Sequence, residues 1–295
     1  MQELDGALTV DLEDWRSALN PRADADYRRR PPVDGDYLTT SARKLMADLD
    51  GAGAKATFFV LGEVAAAVPD LVREIASKGH EVASHSPVHL PIRSIPRPEF
   101  KAMMLRDWDL LSGLASGGVL GFRAPYFSVR RSDGWLVETL ADIGFRYDSS
   151  VVPTWTPYWG LPSAPKAPYL LDPKDLARKR PAGRLLEIPV SVWPTWRLLG
   201  LPIGGGFYMR AWPTSMLVRM LRRNIGSGHP LVLYIHPGNL EADKPKISSP
   251  TLRDRLSQYA AAGRGETSFR RLLKEFRFGT VREVFSSEIA RVGRS

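Results

Sequence analysis

Short apolar runs alternate with helix-length amphipathic stretches through the first 150 residues of this chain, with brief connections between them. Residues 7–12 and 55–61 and the short run 81–84 read as strands, with briefer strand-like pieces at 121–127 and 145–150. Between them, residues 38–49, 68–78, 99–114 and 135–143 carry apolar side chains at helical spacing. In residues 68–78 the stripe is Leu71, Val72, Ile75 and Ala76; Pro69 suits the first turn and Gly79 the end. Strands that take turns with helices of this length build a parallel sheet or barrel, because each helix is the crossover that returns the chain.

The second half is less regular. Residues 153–183 hold seven prolines and few apolar runs, and read as an irregular excursion. Strand character returns at 185–192 and strongly at 230–237, with a helix at 214–225 between them. A helix around 268–276 and a last strand near 277–284 close the pattern. No repeat and no linker composition interrupts the chain. The expectation is one catalytic domain over 1–295, with a core at 5–152 and an insertion and C-terminal region at 153–285 that completes the barrel.

No apolar run approaches the 18 residues of a membrane span, and Met-Gln-Glu-Leu-Asp-Gly lacks the basic start and apolar core of a secretion signal. A cytoplasmic location is expected on that ground. The chain has no cysteine, so thiolate metal sites and disulfides are excluded and any metal must sit on His, Asp or Glu. The net charge is +9, but the basic residues are scattered, in short clusters such as Arg28–Arg30, and no aromatic-interleaved basic array suggests nucleic acid.

In α/β folds the carboxyl ends of strands are where sites form. Three strand ends here carry chemistry: Asp11-Leu12-Glu13-Asp14, His85-Ser86-Pro87-Val88-His89, and His236 after Leu233-Tyr234-Ile235. His85 and His89 are four apart, which on a helical turn places them on one face, close enough to share a cation. Two imidazoles and a carboxylate are a common catalytic zinc set with open positions for water and substrate. A second carboxylate nearby would serve as general base and His236 as general acid. The combination describes metal-assisted hydrolysis of an acyl group.

With these motifs in hand, the chain resembles the polysaccharide deacetylases, carbohydrate esterases with NodB homology, over about residues 5 to 285. It looks closest to the branch with an extra C-terminal region associated with exopolysaccharide biosynthesis. The motifs are Thr9-Val10-Asp11-Leu12-Glu13-Asp14, then Gly79-His80-Glu81-Val82 leading to His85 and His89, then Arg123-Ala124-Pro125-Tyr126, Tyr147-Asp148-Ser149-Ser150, and Leu233-Tyr234-Ile235-His236. The resemblance implies a distorted (β/α) barrel that hydrolyses the N-acetyl group of an N-acetylhexosamine glycan, with a divalent metal ion, zinc being expected. It implies Asp11 as base, His85 and His89 as metal ligands, and His236 as acid. It also implies Arg123 as the partner of Asp11, Asp148 as the support of His236, and the Tyr126 backbone N–H as an oxyanion donor.

One departure stands out. Where the family pattern has two adjacent aspartates, Leu12 takes the second place, so the metal carboxylate is Glu13 or Asp14. Strand alternation puts Asp11 and Glu13 on one face and favours Glu13; a break in the strand would favour Asp14. Two other functions stay open: an amidohydrolase of the same fold acting on a non-sugar amide, and a catalytically silent glycan-binding protein. Outside the site, His80 reads as structural and His229 as a turn residue. Gly204-Gly205-Gly206 is no phosphate loop, since no GxxxxGK[ST] follows it; it is a tight turn, or it presents Phe207 and Tyr208 to a sugar. Trp15, Trp193 and Trp196 serve the core or a sugar platform.

Overall fold

The computed structural model describes residues 3–15, 32–156, 160–194, 200–228, 230–241 and 262–293. The first half is the expected alternation. Strands β1 (Gly6–Leu12), β2 (Thr57–Val60), β3 (Glu81–Ser84), β4 (Gly121–Phe122) and β5 (Tyr147–Asp148) are separated by helices α1 (Gly35–Gly51), α2 (Gly62–Ala67), α3 (Pro69–Ser77), α4 (Arg97–Leu114) and α5 (Gly134–Ile143). Asp34 starts α1 by accepting from the Tyr37 amide, and Gly79 follows α3 at φ 79°, a conformation that costs glycine little.

The second half contributes β6 (Tyr169–Asp172), β7 (Asp175–Arg180), β8 (Leu186–Glu187), β9 (Val192–Pro194), β10 (Gly200–Pro202), α6 (Gly206–Ala211), α7 (Thr214–Gly226), β11 (Leu231–Ile235), α8 (Gly265–Glu275), β12 (Phe278–Gly279), α9 (Val281–Val284) and α10 (Ser286–Arg291). The main sheet has the order β11-β1-β2-β3-β4-β5-β8-β6-β7, with β12 also on β1. From β11 to β8 every pairing is parallel. Beyond β8 the chain crosses back to the opposite edge. The Val190 amide donates to Val151 O (3.1 Å), and the Ser191 amide donates to Val232 O (3.0 Å) on β11. That crossing closes the sheet into a distorted (β/α) barrel, as expected.

Two expectations are corrected. Residues 153–183 are not wholly irregular: β6 and β7 form an antiparallel hairpin. Its prolines flank the strands, and its charged end, Arg178 to Arg180, is exposed at the sheet edge, which hides the strand from an apolar-pattern reading. The last strand, expected over 277–284, stops after two residues and turns into α9. Thr280 and Glu283 form a capping box there, with Thr280 Oγ1 accepting from the Glu283 amide and Glu283 accepting from the Thr280 amide.

That capped helix seals one end of the barrel. Val281, Phe285, Ile289 and Val292 pack with Ala7, Phe59, Ala83, Tyr147, Leu186, Ile188 and Val232 in one buried cluster. The Val281 amide donates to Thr57 Oγ1 and the Arg282 amide to Glu81 Oε2, both at the amino ends of strands. The carboxyl ends lie at the other mouth.

Candidate active site

Each site residue leaves the barrel at the carboxyl end of a strand. Asp11 is the next-to-last residue of β1, and Glu13 follows the strand directly. Arg123 follows β4, the aspartate and serines at 148–150 end β5, and His236 follows β11. His85 follows β3, but the histidine pair does not sit on a helical turn. Residues 85–91 form a loop in which Ser86 has φ 76°. The reversal still brings the two imidazoles together, with ring centroids 5.5 Å apart. Ser84 Oγ supports it by accepting from the Ser86 amide (3.1 Å) while donating to Asp107 Oδ2 (2.6 Å).

The choice between Glu13 and Asp14 follows from where each carboxylate points. Glu13 Oε2 lies 2.6 Å from His89 Nε2 and 3.8 Å from His85 Nε2. Asp14 Oδ2 instead accepts from the Asp34 amide (2.7 Å), just ahead of α1. Asp14, named as a candidate ligand, is thus engaged at the start of α1, and Glu13 is the carboxylate that groups with the histidine pair. The extended backbone through Asp11 keeps the two alternating carboxylates on one side, while Asp14 falls beyond the strand.

The geometry fits a cation. One ligand atom each from Glu13, His85 and His89 lie within 4.8 Å of one another. Glu13 Oε2 is buried against the His89 imidazole at 2.6 Å, and among the described residues no amide or hydroxyl donates to it. A carboxylate oxygen whose near neighbours are two imidazole nitrogens fits three donors aimed at a common point. His85 is oriented for that role, because its Nδ1 donates to Arg123 O (2.9 Å) and leaves the Nε2 lone pair facing Glu13. Burial pushes the His85 imidazole down to about 4, so it is neutral at pH 7, as a metal ligand must be. For Glu13, burial alone would raise the carboxyl, but the facing His89 and His236 rings outweigh it and hold it well below its ordinary range.

Arg123 is fully buried and almost fully used. Its Nη1 donates to Asp11 Oδ1 (2.6 Å) and Thr9 Oγ1 (2.8 Å), its Nε to Ser149 O (3.0 Å) and its Nη2 to Ser149 Oγ (2.9 Å). The guanidinium also lies 4.1 Å from the Phe59 ring centroid. Asp11 is thereby fixed through Oδ1, with Oδ2 turned toward His236 Nε2 at 3.8 Å. A buried charge held by this many partners is a positioned group rather than a surface ion pair.

His236 has Nε2 3.0 Å from Glu13 Oε1, and its side chain is 31% exposed, the open side of the site. Burial opposes its protonation, but the carboxylates of Glu13 and Asp11 overcome this and raise it above the ordinary histidine value. The support expected from Asp148 lies elsewhere. His236 Nδ1 meets Asn239 Oδ1 (3.2 Å), while Asp148 accepts from Ser150 Oγ and shares a buried carboxyl environment with Glu187. Burial raises Asp148 to about 6. Asp148 thus belongs to the packing beneath Arg123, whose Ser149 neighbour it precedes. Tyr126 sits beside the pair, its ring 4.2 Å from that of His89, at φ 57°.

Asn239, Ser149, Thr9 and Glu187 escape the sequence reading. Polar residues inside strands have no spacing signature, although Asn three residues after His, with Pro between, is a helix-cap pattern. Of the residues set aside, His80 is structural: it is buried, its Nδ1 accepts from the Ala56 amide (3.3 Å), and burial lowers it to about 4. Trp193 packs partly buried on the core, and Phe207 is exposed at the start of α6. His229 and Trp196 lie outside the described residues.

Comparison with known proteins bears on the family and the fold. Residues 33–147 match the polysaccharide deacetylase family, and residues 149–286 match a domain of unknown function (DUF3473). The chain therefore carries a polysaccharide deacetylase domain with NodB homology, followed by the extra C-terminal region expected from the sequence. Strands from both matched regions share the one sheet. A peptidoglycan-N-acetylglucosamine deacetylase of Bacillus cereus is 31% identical over 83 residues, 28% of this chain and 30% of the relative. A chitooligosaccharide deacetylase of Sinorhizobium fredii is 33% identical over 72 residues, 24% of this chain and 34% of the relative. The aligned part thus spans about a third of each of these relatives. A Mycobacterium smegmatis structure assigned as a polysaccharide deacetylase superposes with a TM-score of 0.62 at 20% identity, covering 99% of this chain and 91% of that one. At that identity the likeness shows the fold.

Proposed function

We propose that this protein removes the N-acetyl group from an N-acetylhexosamine unit of a glycan or glycan precursor, releasing acetate and a free amine. The observation that carries the reading is the meeting of Glu13 Oε2 with the His85 and His89 imidazoles, beside an aspartate fixed by a buried arginine. Glu13, His85 and His89 would hold a divalent cation, for which this donor set suits zinc, and such an ion supplies polarisation of the acetyl carbonyl and acidification of water.

The chain's own residues then divide the proton work. Asp11 Oδ2, with Oδ1 occupied by Arg123, takes a proton from the attacking water. His236, whose pKa its two carboxylate neighbours raise, delivers a proton through Nε2 to the departing nitrogen. Arg123 holds Asp11 in place through Oδ1. The Tyr126 backbone N–H is the proposed donor to the developing oxyanion, where one such donor contributes about 3–4 kcal/mol. The expected setting is modification of a bacterial exported glycan, and the chain is read as a single catalytic unit.

The test is acetate release from N-acetylglucosamine oligomers and, in parallel, from simple non-sugar amides. Release from the sugars alone supports the reading. Release from the simple amides alone would make the protein an amidohydrolase of the same fold. Binding without release from either would make it a glycan-binding protein.

A further inference from the structure

We propose that Asn239 fixes the tautomer and orientation of His236, the task that the family resemblance implies for Asp148, and that the glycine-rich turn exists to seat it. This rests on His236 being the acid of the proposed reaction. The His236 backbone amide donates to Asn239 Oδ1 at 3.0 Å. A backbone N–H can only donate, so the atom facing it is the carboxamide oxygen and not the nitrogen. The same oxygen lies 3.2 Å from His236 Nδ1. With a proton on Nδ1 the ring donates to that oxygen; the opposite tautomer, with Nδ1 accepting from the Asn239 backbone amide in the same turn, is the arrangement that nitrogen NMR of the ring discriminates against. With Nδ1 protonated, Nε2 is left as the exchanging atom, on the side of Glu13 and Asp11. Main chain and ring of one histidine are thus held by a single oxygen three residues on, in the short helical turn Pro237–Asn239.

Asn239 is itself held where nothing larger than hydrogen can approach. A Cβ on Gly206 would fall on Asn239 Oδ1, and a Cβ on Gly265 would fall on the Asn239 backbone oxygen. Gly206 opens α6 and Gly265 opens α8, so two helices converge on this one residue. Preceding them, the Tyr234 amide donates to Gly204 O (2.6 Å), and a Cβ on Gly205 would strike the Tyr234 ring. Gly204-Gly205-Gly206 therefore lies flat on β11 and runs up to the residue that orients His236. This gives the glycine-rich turn a purpose that neither phosphate binding nor sugar stacking supplies.

Asn239 is a positioning residue, and its removal separates from a general loss of structure. In full-length protein, Asn239→Leu is expected to lower kcat for acetate release about 10- to 100-fold, as for other partners that orient a functional histidine. KM stays near wild type, and the unfolding midpoint falls in Asn239→Leu, which strands the His236 amide, but not in Asn239→Asp. Asn239→Asp keeps an oxygen acceptor for both bonds and is expected to recover most of the rate. Nitrogen NMR of the His236 ring reads the tautomer directly: Nδ1–H in wild type and Asn239→Asp, a mixture in Asn239→Leu. Unchanged kcat and an unchanged ring signature in Asn239→Leu would overturn the proposal, as would a wild-type ring protonated at Nε2 alone. His236→Ala separates the two readings. If that variant keeps full activity, the reaction scheme fails, whereas the NMR result still decides the role of Asn239.

Discussion

Two glutamates lie buried at opposite mouths of the barrel, and they are held in opposite ways. Glu81, at the sealed mouth, is met by hydrogen-bond donors alone: Thr57 Oγ1 (2.7 Å), Tyr147 Oη (3.0 Å) and the Arg282 amide (3.0 Å). Burial nevertheless raises its carboxyl above the ordinary value. Glu13, at the open mouth, faces three imidazoles, and among the described residues no amide or hydroxyl donates to its Oε2. A structural carboxylate has its lone pairs capped by donors. A ligand carboxylate is held beside other lone pairs. The same barrel interior therefore builds a closed polar plug at one end and a set of converging donors at the other.

The largest effect should come from the open mouth. Asp11→Asn is expected to reduce kcat/KM for acetate release by roughly 10²- to 10⁴-fold, the range for a lost general base, with the bound cation retained on metal analysis. Glu13→Gln should instead lose the cation, weakening its affinity beyond the roughly 10- to 100-fold typical of an outer partner, while leaving the unfolding midpoint in chelator unchanged. Equilibrium binding of zinc to the two variants distinguishes base from ligand. If Asp14→Asn were the variant that lost the cation, the assignment of Glu13 would be wrong.

At the sealed mouth the signs reverse. Glu81→Leu strands donors on Thr57, Tyr147 and Arg282, and should cost about 1–3 kcal/mol in a denaturant titration with cation affinity intact. An effect of similar size, but one that appears only as pH changes, is expected at Asp107, which braces the histidine loop through Ser84. Burial pushes its carboxyl up to about 7. Between the unfolded value near 4 and that folded value, the folded state keeps a proton that the unfolded state gives up. Its contribution therefore weakens as pH rises through the window. Asp107→Asn should gain on wild type by up to about 4 kcal/mol between pH 4 and pH 8, read from urea midpoints across the range. A flat difference would show that the group ionises freely.

The two mouths also differ in how far the sequence reveals them. Asp11, His85, Arg123 and His236 are legible because each ends an apolar run, and charged residues there rarely serve the core. The alternation that gives the barrel is legible for the same reason. Glu13 against Asp14 was not, since it turns on where the backbone leaves the strand. Asn239 and the seal made by α9 were not, because each depends on partners far away in the chain, as Thr57 meets Val281. The Thr280–Glu283 capping box is a local helix signal, but the strand-like composition around it masks it.

The most direct test of the account is acetate released from N-acetylglucosamine oligomers by chelator-treated protein, before and after one equivalent of divalent cation is restored. The account predicts no release before and full release after, in wild type but not in Glu13→Gln. Equal release in both conditions, or none after the cation is restored, would contradict it.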